Sequence, residues 1–269
     1  GTDVLTSLAV MDFYLRKAEK MLQPRRGSSW PYVSTKGWTE YHPRGVAGVI
    51  SPNNYPFCLT MIPVVTALAA GCSVVSIPSE ITPLTGQLVA DRAHKAGLPD
   101  DLVQVVHGGG DVGSALIDAP VDVLAFTGST HVGKQVAAQA AKKLIPVVLE
   151  LGGNDAMVVL EDADIPQAAR AALWGGMLNG GQACTSVERL YVVDEVYDEF
   201  MVELEKVFDL VAVATDDRRD IGPFIHAPQS EVVEAHVGDA VAKGARVVRG
   251  GRPATTPTGL YYEPTLLVD

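Results

Sequence analysis

The sequence predicts an α/β fold built on an open, doubly wound, mostly parallel sheet. Three observations predict it. From Gly45 onward, short apolar runs alternate with segments of helical period. Glycine-rich turns close some of these runs and open the next helix, as βα connections do. The 269 residues, 47% apolar and 20% charged, suffice for one large domain or two ordinary ones with an ample core.

The first element is a helix. Leu8, Met11, Leu15, Ala18 and Leu22 recur at helical spacing and define one face. Pro24, Gly27 and Pro31 break it. Ser29 to His42 carries Trp, Tyr, Val and Thr around Lys36-Gly37 and reads as a β-hairpin or extended arm. The strand-like runs that follow are Val46–Ser51, Ser73–Ile77, Val103–His107, Val121–Phe126 and Pro146–Leu151. Between them lie helices over Thr60–Ala70, Pro83–Ala96 (Thr82 as cap) and Ser129–Leu144. A soft boundary is placed at Gly152-Gly153. Beyond it come a strand at Ala156–Leu160 and a helix from Ile165 into Gly175. A strand at Arg189–Val193, helices over Tyr197–Val211 and Ser230–Ala242, and a strand at Arg246–Arg249 complete the pattern.

Charge and cysteine content exclude several functions. Twenty-one basic residues against 32 acidic ones give a net charge of −11, and no basic stripe is present. A nucleic-acid or anionic-membrane partner is therefore not expected. Cys58, Cys72 and Cys184 form no CxxC pair, and the six histidines form no metal-binding pattern, so no metal is expected. The apolar stretch Met61–Val75 is too short to span a bilayer, and Gly1–Ser7 lacks a secretory pattern. The expected location is cytoplasmic.

Five motifs carry possible chemistry. FTGSTHVG (126–133) ends a strand and opens a helix, a setting that suits a phosphate and equally an ordinary capped turn, with Ser129 or Thr130 as cap. HGGGDVG (107–113) has G-x-G-x-x-G spacing at Gly108, Gly110 and Gly113. In LELGGN (149–154), Glu150 sits in an apolar strand, where desolvation would raise its pKa and suit it as a general base; a carboxylate reaching solvent is the plainer reading. In GGQACTS (180–186), Cys184 lies in a glycine-rich turn and is the accessible thiol, whereas Cys58 and Cys72 read as packing residues. ISPNNYPF (50–57) is a shaped loop in which an asparagine amide can donate to an oxyanion.

In this order, and with 34 residues from Glu150 to Cys184, the runs GVAGVISPNNYPF, PSEITP, FTGSTHVG, LELGGN and GQACTS resemble the aldehyde dehydrogenase superfamily along nearly the whole chain. The resemblance implies a Rossmann-like cofactor domain, a partial α/β catalytic domain and a β-hairpin arm. It assigns residues 1–23 and 44–152 to the cofactor domain, incomplete at its N-terminus. Residues 24–43 become an oligomerisation hairpin and 153–269 a catalytic domain incomplete at its C-terminus. It implies Cys184 as nucleophile, Asn54 and the Cys184 amide as oxyanion donors, and Glu150 as the base for thioester hydrolysis. Cofactor contacts would fall on Ile50, Ser51, Pro52, Ser79, Glu80, Gly108, Gly113, Phe126, Thr127, Gly128, Ser129, Val132, Gly133, Leu151 and Gly152. Gly128 and Ser129 would line the pyrophosphate, Leu151 would lie under the nicotinamide, and Ser79 and Glu80 would meet the adenosine ribose. A carboxylate there favours NAD+ over NADP+. An aldehyde substrate and a homo-oligomer follow from the same resemblance.

The chain departs from the family pattern at three positions. Ile77 stands where a lysine is usual, Asn53 where a tryptophan is usual and Asn154 where a lysine is usual. Loss of the Ile77-site cation should weaken cofactor binding by roughly 1–3 kcal/mol if nothing compensates. The shortened length and Ile77 motivate an alternative, a catalytically impaired binding or scaffold subunit. A cofactor-free thiol esterase activity of Cys184 with Glu150 is a further side reading.

Overall fold

The structure is a computed structural model that describes residues 1–32, 34–213, 220–254 and 259–268. The chain forms two units, Gly1–Leu151 and Gly152–Asp269.

The first unit begins with α1 (Thr2–Leu22) and a small antiparallel pair, β1 (Arg25–Gly27) with β2 (Gly37–Thr39), in which Arg25 faces Thr39. Then follow β3 (Val46–Ile50), α2 (Cys58–Ala69), β4 (Ser73–Ile77), α3 (Pro83–Lys95), β5 (Val103–Val105), α4 (Gly110–Asp118), β6 (Val123–Gly128), α5 (Thr130–Ala141) and β7 (Val147–Leu151). Five strands pair in parallel in the order β5-β4-β3-β6-β7. The chain winds outward from β3 through β4 to β5, then returns to place β6 on the other side of β3. The strand order therefore reverses between β3 and β6, and such a reversal opens a crevice at the strands' C-terminal ends.

Helices cover both faces of this sheet, as the alternating pattern predicts. On one face Ala47, Val49 and Val74 pack with Met61 and Val64 of α2 and with Val89 and Ala90 of α3. On the other, Ile77, Leu124 and Phe126 pack with Leu116 and Ile117 of α4 and with Val136 and Ala140 of α5.

Several sequence expectations need correction. The Leu8–Leu22 stripe of α1 is only partly the inward face: Met11 and Ala18 turn inward, whereas Leu8 is exposed and Leu15 is 87% exposed. The inner side carries Asp3, Ser7, Met11 and Tyr14, and it packs on α2 partly through a Tyr14 hydroxyl–Thr66 hydroxyl bond of 2.9 Å. Polar contacts with α2 and the packing of Met11 meet on this face. The third run ends earlier than expected, at Val105 rather than His107. The fourth is shifted: β6 starts at Val123 and extends through Thr127 and Gly128, which pair with Glu150 and Leu151. Thr82 occupies the cap position of α3, but its hydroxyl makes no capping bond.

The second unit comprises β8 (Asp155–Val159), α6 (Ile165–Met177), a short 3-10 turn (Leu178–Gly181), β9 (Val187–Val192), α7 (Asp194–Phe208) and α8 (Ala227–Ala242). Four short strands follow: β10 (Arg246–Arg249), β11 (Pro253–Ala254), β12 (Tyr261–Tyr262) and β13 (Leu266–Val268). β8 and β9 are parallel and joined by α6, whose N-terminus Asp164 caps by accepting from Gln167 N–H at 3.0 Å. Val159, Ile165, Ala169, Phe200, Leu204 and Leu266 form its core. β10 pairs with β13 and β11 with β12, both antiparallel. Among the described residues no helix is long and apolar enough to cross a membrane.

Candidate active site

In the first unit, most of the residues named from sequence gather at the C-terminal rim of the parallel sheet. Ile50 pairs in register with both Ile77 and Phe126, Thr127 with Glu150, and Gly128 with Leu151. Ser51, Pro52 and Asn54 follow β3 directly, and Ser79 and Glu80 follow β4. The rim flanks the point where strand order reverses, which is where ligands of doubly wound sheets bind.

The turn after β6 settles one alternative. Ser129, not Thr130, caps α5, its hydroxyl accepting from Val132 N–H at 3.2 Å. The amides that open the helix, at Thr130 and His131, then lie at the positive end of its dipole, as an anion requires. Val132 points outward, while Gly133 is buried against Leu151. A Cβ at Gly133 would come within 2.6 Å of Leu151 Cδ2, so a larger residue there would require the Leu151 side chain to shift.

The G-x-G-x-x-G spacing sits differently from a dinucleotide fingerprint. Gly108 and Gly110 follow β5, the outermost strand, rather than the central β3. Gly113 is buried in α4, where a Cβ would lie an ordinary 3.7 Å from Ile50 Cδ1. Packing there does not demand glycine.

Glu150 follows the plainer of its two readings. The alternating face of β7 leaves it exposed, a carboxylate reaching solvent rather than one desolvated inside an apolar strand. Its side chain borders an apolar groove of about 650 Å³ that also touches Leu59, Ile62, Val123, Ala125 and Thr127. Ile77 is 4% exposed and faces the α4–α5 core, so its side chain supplies no polar group to the rim.

The Asn54 loop is fixed at both ends. At its start, Ser51 N–H donates to the Ile77 carbonyl at 3.1 Å, and the Ser51 and Thr60 hydroxyls, both buried, share a 2.7 Å bond. At its end, the Asp3 carboxylate of α1 accepts from Phe57 N–H at 3.2 Å and Cys58 N–H at 2.6 Å. Sequence reasoning did not find Asp3, because an acidic residue in a first helical turn reads as a partner of its own helix dipole.

In the second unit, Cys184 is exposed on a turn whose closing bond runs from Ser186 N–H to the Ala183 carbonyl at 3.1 Å. The buried Ser186 hydroxyl binds the end of α6 through the carbonyls of Gly175 and Gly176, at 3.3 and 3.1 Å. Before the turn, Asn179, Gly180 and Gly181 take φ of 56°, 66° and 76°, left-handed values that glycine and asparagine tolerate. Gln182 adds a brace: its amide donates to the Asn179 carbonyl at 2.9 Å and its oxygen accepts from Ile225 N–H at 3.0 Å. Gly153 passes close beneath, where a Cβ would lie 3.4 Å from the Cys184 carbonyl oxygen; at Gly152 a Cβ would meet nothing within 4 Å. Sequence reasoning missed Ser186 as the tether of this turn.

The three thiols are unpaired and differ in access. Cys58 and Cys72 are buried, and burial pushes the Cys58 thiol up, assisted by the Asp3 charge and opposed by a Ser7 hydrogen bond. Iodoacetamide at neutral pH should therefore modify Cys184 at least about ten times faster than Cys58 or Cys72, as read by peptide mass mapping. Among the described residues no group of three His, Cys, Asp or Glu side chains is placed to hold a metal.

A doubly wound sheet with an open rim in the first unit and an exposed, braced cysteine in the second define the class as an α/β protein. The particular family follows from comparison: residues 1–269 match the aldehyde dehydrogenase family, and the chain belongs to it. It is 43% identical over 246 residues to 4,4'-diapolycopene aldehyde oxidase of Methylomonas sp, covering 91% of this chain and 46% of that protein. It is 42% identical over 259 residues to a Mycolicibacterium smegmatis protein provisionally named succinate-semialdehyde dehydrogenase (NADP+), covering 95% and 50%. A solved Mycobacterium tuberculosis aldehyde dehydrogenase complexed with NAD+ superposes with a TM-score of 0.91 at 33% identity, over 98% of this chain and 55% of that one. The chain thus spans about half the length of the curated relatives it matches.

Proposed function

We propose that the chain oxidises an aldehyde to a carboxylic acid with NAD(P)+, using Cys184 as nucleophile. The observation that carries this reading is the thiol itself. Of three cysteines only Cys184 is exposed, and it stands on a turn tied by Ser186 and Gln182. The Cys184 thiolate would add to the aldehyde carbon to form a thiohemiacetal, while the Asn54 amide and the Cys184 N–H donate to the oxygen that becomes negative. When bound, NAD(P)+ supplies the hydride acceptor. Departure of the hydride leaves a thioester on Cys184. Glu150 would then take a proton from water as its oxygen attacks the thioester carbon; the C–S bond breaks and the acid is released.

The rim fits the cofactor's groups. The first amides of α5 suit a pyrophosphate, and Leu151, packed on Gly133, offers an apolar surface for a ring. The exposed Glu80 carboxylate at the end of β4 disfavours a 2′-phosphate, which supports NAD+ over NADP+. The hairpin region exposes Trp30, Tyr32 and Trp38, which supports residues 24–43 as an oligomerisation arm in a homo-oligomer. Three unpaired cysteines support a reducing, cytoplasmic location.

The substrate proposed is an apolar aldehyde. α2, which begins four residues after Asn54, contains no charged side chain. An aldehyde ending in a carboxylate, such as the succinate semialdehyde in the mycobacterial relative's name, needs a cation to offset its desolvation. The test follows NADH production. With NAD+, hexanal should give a kcat/KM at least about ten times that for succinate semialdehyde. The reverse preference would overturn the substrate assignment, and no NADH with any aldehyde would favour the scaffold reading that Ile77 motivates.

A further inference from the structure

We infer that Asp3 is a positioning residue for the oxyanion donor Asn54, acting across 51 residues of sequence by capping α2 from α1. This inference rests on the aldehyde-oxidising reading only for its catalytic consequence. An α-helix leaves its first amides without internal partners. In α2 the usual remedy is missing: Phe57 at the cap position has no side-chain acceptor, and Pro56 before it has no N–H at all. Leu59 N–H reaches the Tyr55 carbonyl at 2.9 Å, and the two Asp3 oxygens accept one bond each from Phe57 N–H and Cys58 N–H. A carboxylate at this end also complements the dipole of α2.

The helix α1 that delivers Asp3 is held in place independently. Tyr14 joins the Thr66 hydroxyl of α2 at 2.9 Å, and Met11 packs against the core that α2 shares with β3. With Ser51 fixed by Ile77 and Thr60 at the other end, residues 52–56 span two anchors, and Asn54 is the middle residue between them. Removing Asp3 frees one anchor and leaves the sheet pairing of β3 and β4 intact. The consequence is a loop that samples more positions, so the Asn54 amide spends less time where the oxyanion forms.

The test compares the full chain with Asp3→Ala and Asp3→Asn, which keeps one acceptor oxygen. Amide hydrogen exchange is read residue by residue, and NADH formation is measured alongside. In Asp3→Ala, Phe57 and Cys58 should exchange at least about ten times faster while Val74 to Ile77 are unchanged. Asp3→Asn should fall between the two. The kcat for aldehyde should drop about tenfold in Asp3→Ala, with KM for NAD+ changed less than about twofold, because of the expected cofactor contacts only Pro52 lies in the loosened loop. Unchanged exchange at Phe57 and Cys58 would overturn the assignment. So would uniform acceleration throughout Gly1–Leu151, or a kcat loss that only follows the folded fraction, since either marks a purely structural role. If the unsubstituted chain makes no NADH, the enzymatic reading fails, and the exchange result alone decides the role of Asp3.

Discussion

Cys184→Ala will abolish aldehyde-dependent NADH formation, with a loss of at least about a thousandfold, while leaving the chain folded. In the proposed mechanism Cys184 is the nucleophile, the one group whose removal leaves no covalent route, and residual rates after such removal reflect only binding and oxyanion stabilisation. The exposed thiol belongs to none of the three apolar clusters, so the unfolding free energy should stay within about 1 kcal/mol of the parent. A steady-state assay paired with a urea melt checks both halves. An unchanged rate would remove Cys184 from the mechanism.

The largest effect on stability is expected at Leu124. Its side chain is fully buried on β6, next to the central β3, and packs against Leu116, Ile117 and Val136. Gly48 of β3 lies so close that a Cβ there would meet Leu124 Cδ1 at 2.9 Å. The sheet fixes one wall of the site, since Leu124 N–H bonds the Pro146 carbonyl at 3.0 Å and β6 pairs on both sides. A cavity left by Leu124→Ala cannot easily collapse. The expected cost is about 3 kcal/mol, within the roughly 2–5 kcal/mol range for buried leucine. Denaturant unfolding monitored by circular dichroism would read it as a lower midpoint at unchanged slope. A cost below about 1 kcal/mol would mean that the α4–α5 side of the sheet is not tightly packed.

The architecture was legible where local pattern and burial coincide. Ser73–Ile77 and Arg246–Arg249 are strands at the boundaries their apolar runs suggest, and α3 and α6 begin where expected, at Pro83 and Ile165. Cys184 was readable as the accessible thiol because glycines surround it, while Cys58 and Cys72 sit in apolar runs. The orientation of α1 was only partly legible. Its apolar residues lie on several sides, and the inward one is where the packing of Met11 meets hydrogen bonds to α2, whose partners are more than fifty residues away. Glu150 was left between two readings, of which the structure takes the solvent-reaching one. Its neighbours in sequence are apolar, but alternation along β7 turns it outward, and which face of an edge strand is covered depends on elements remote in sequence. The Asp3 cap and the Ser186 tether have no motif at all; each is one polar residue whose role exists only in the folded chain.

The central claim is that oxidation proceeds through an acyl group on Cys184 that Glu150 helps to hydrolyse. Intact-protein and peptide mass spectrometry of Glu150→Gln, mixed with hexanal and NAD+, tests it most directly. Without the carboxylate the thioester should accumulate, and the peptide containing Cys184 should gain the mass of the aldehyde less two hydrogens, with one NADH formed per acylated chain. No such gain on Cys184 despite NADH formation, or the same gain on Cys58 or Cys72, would contradict the account.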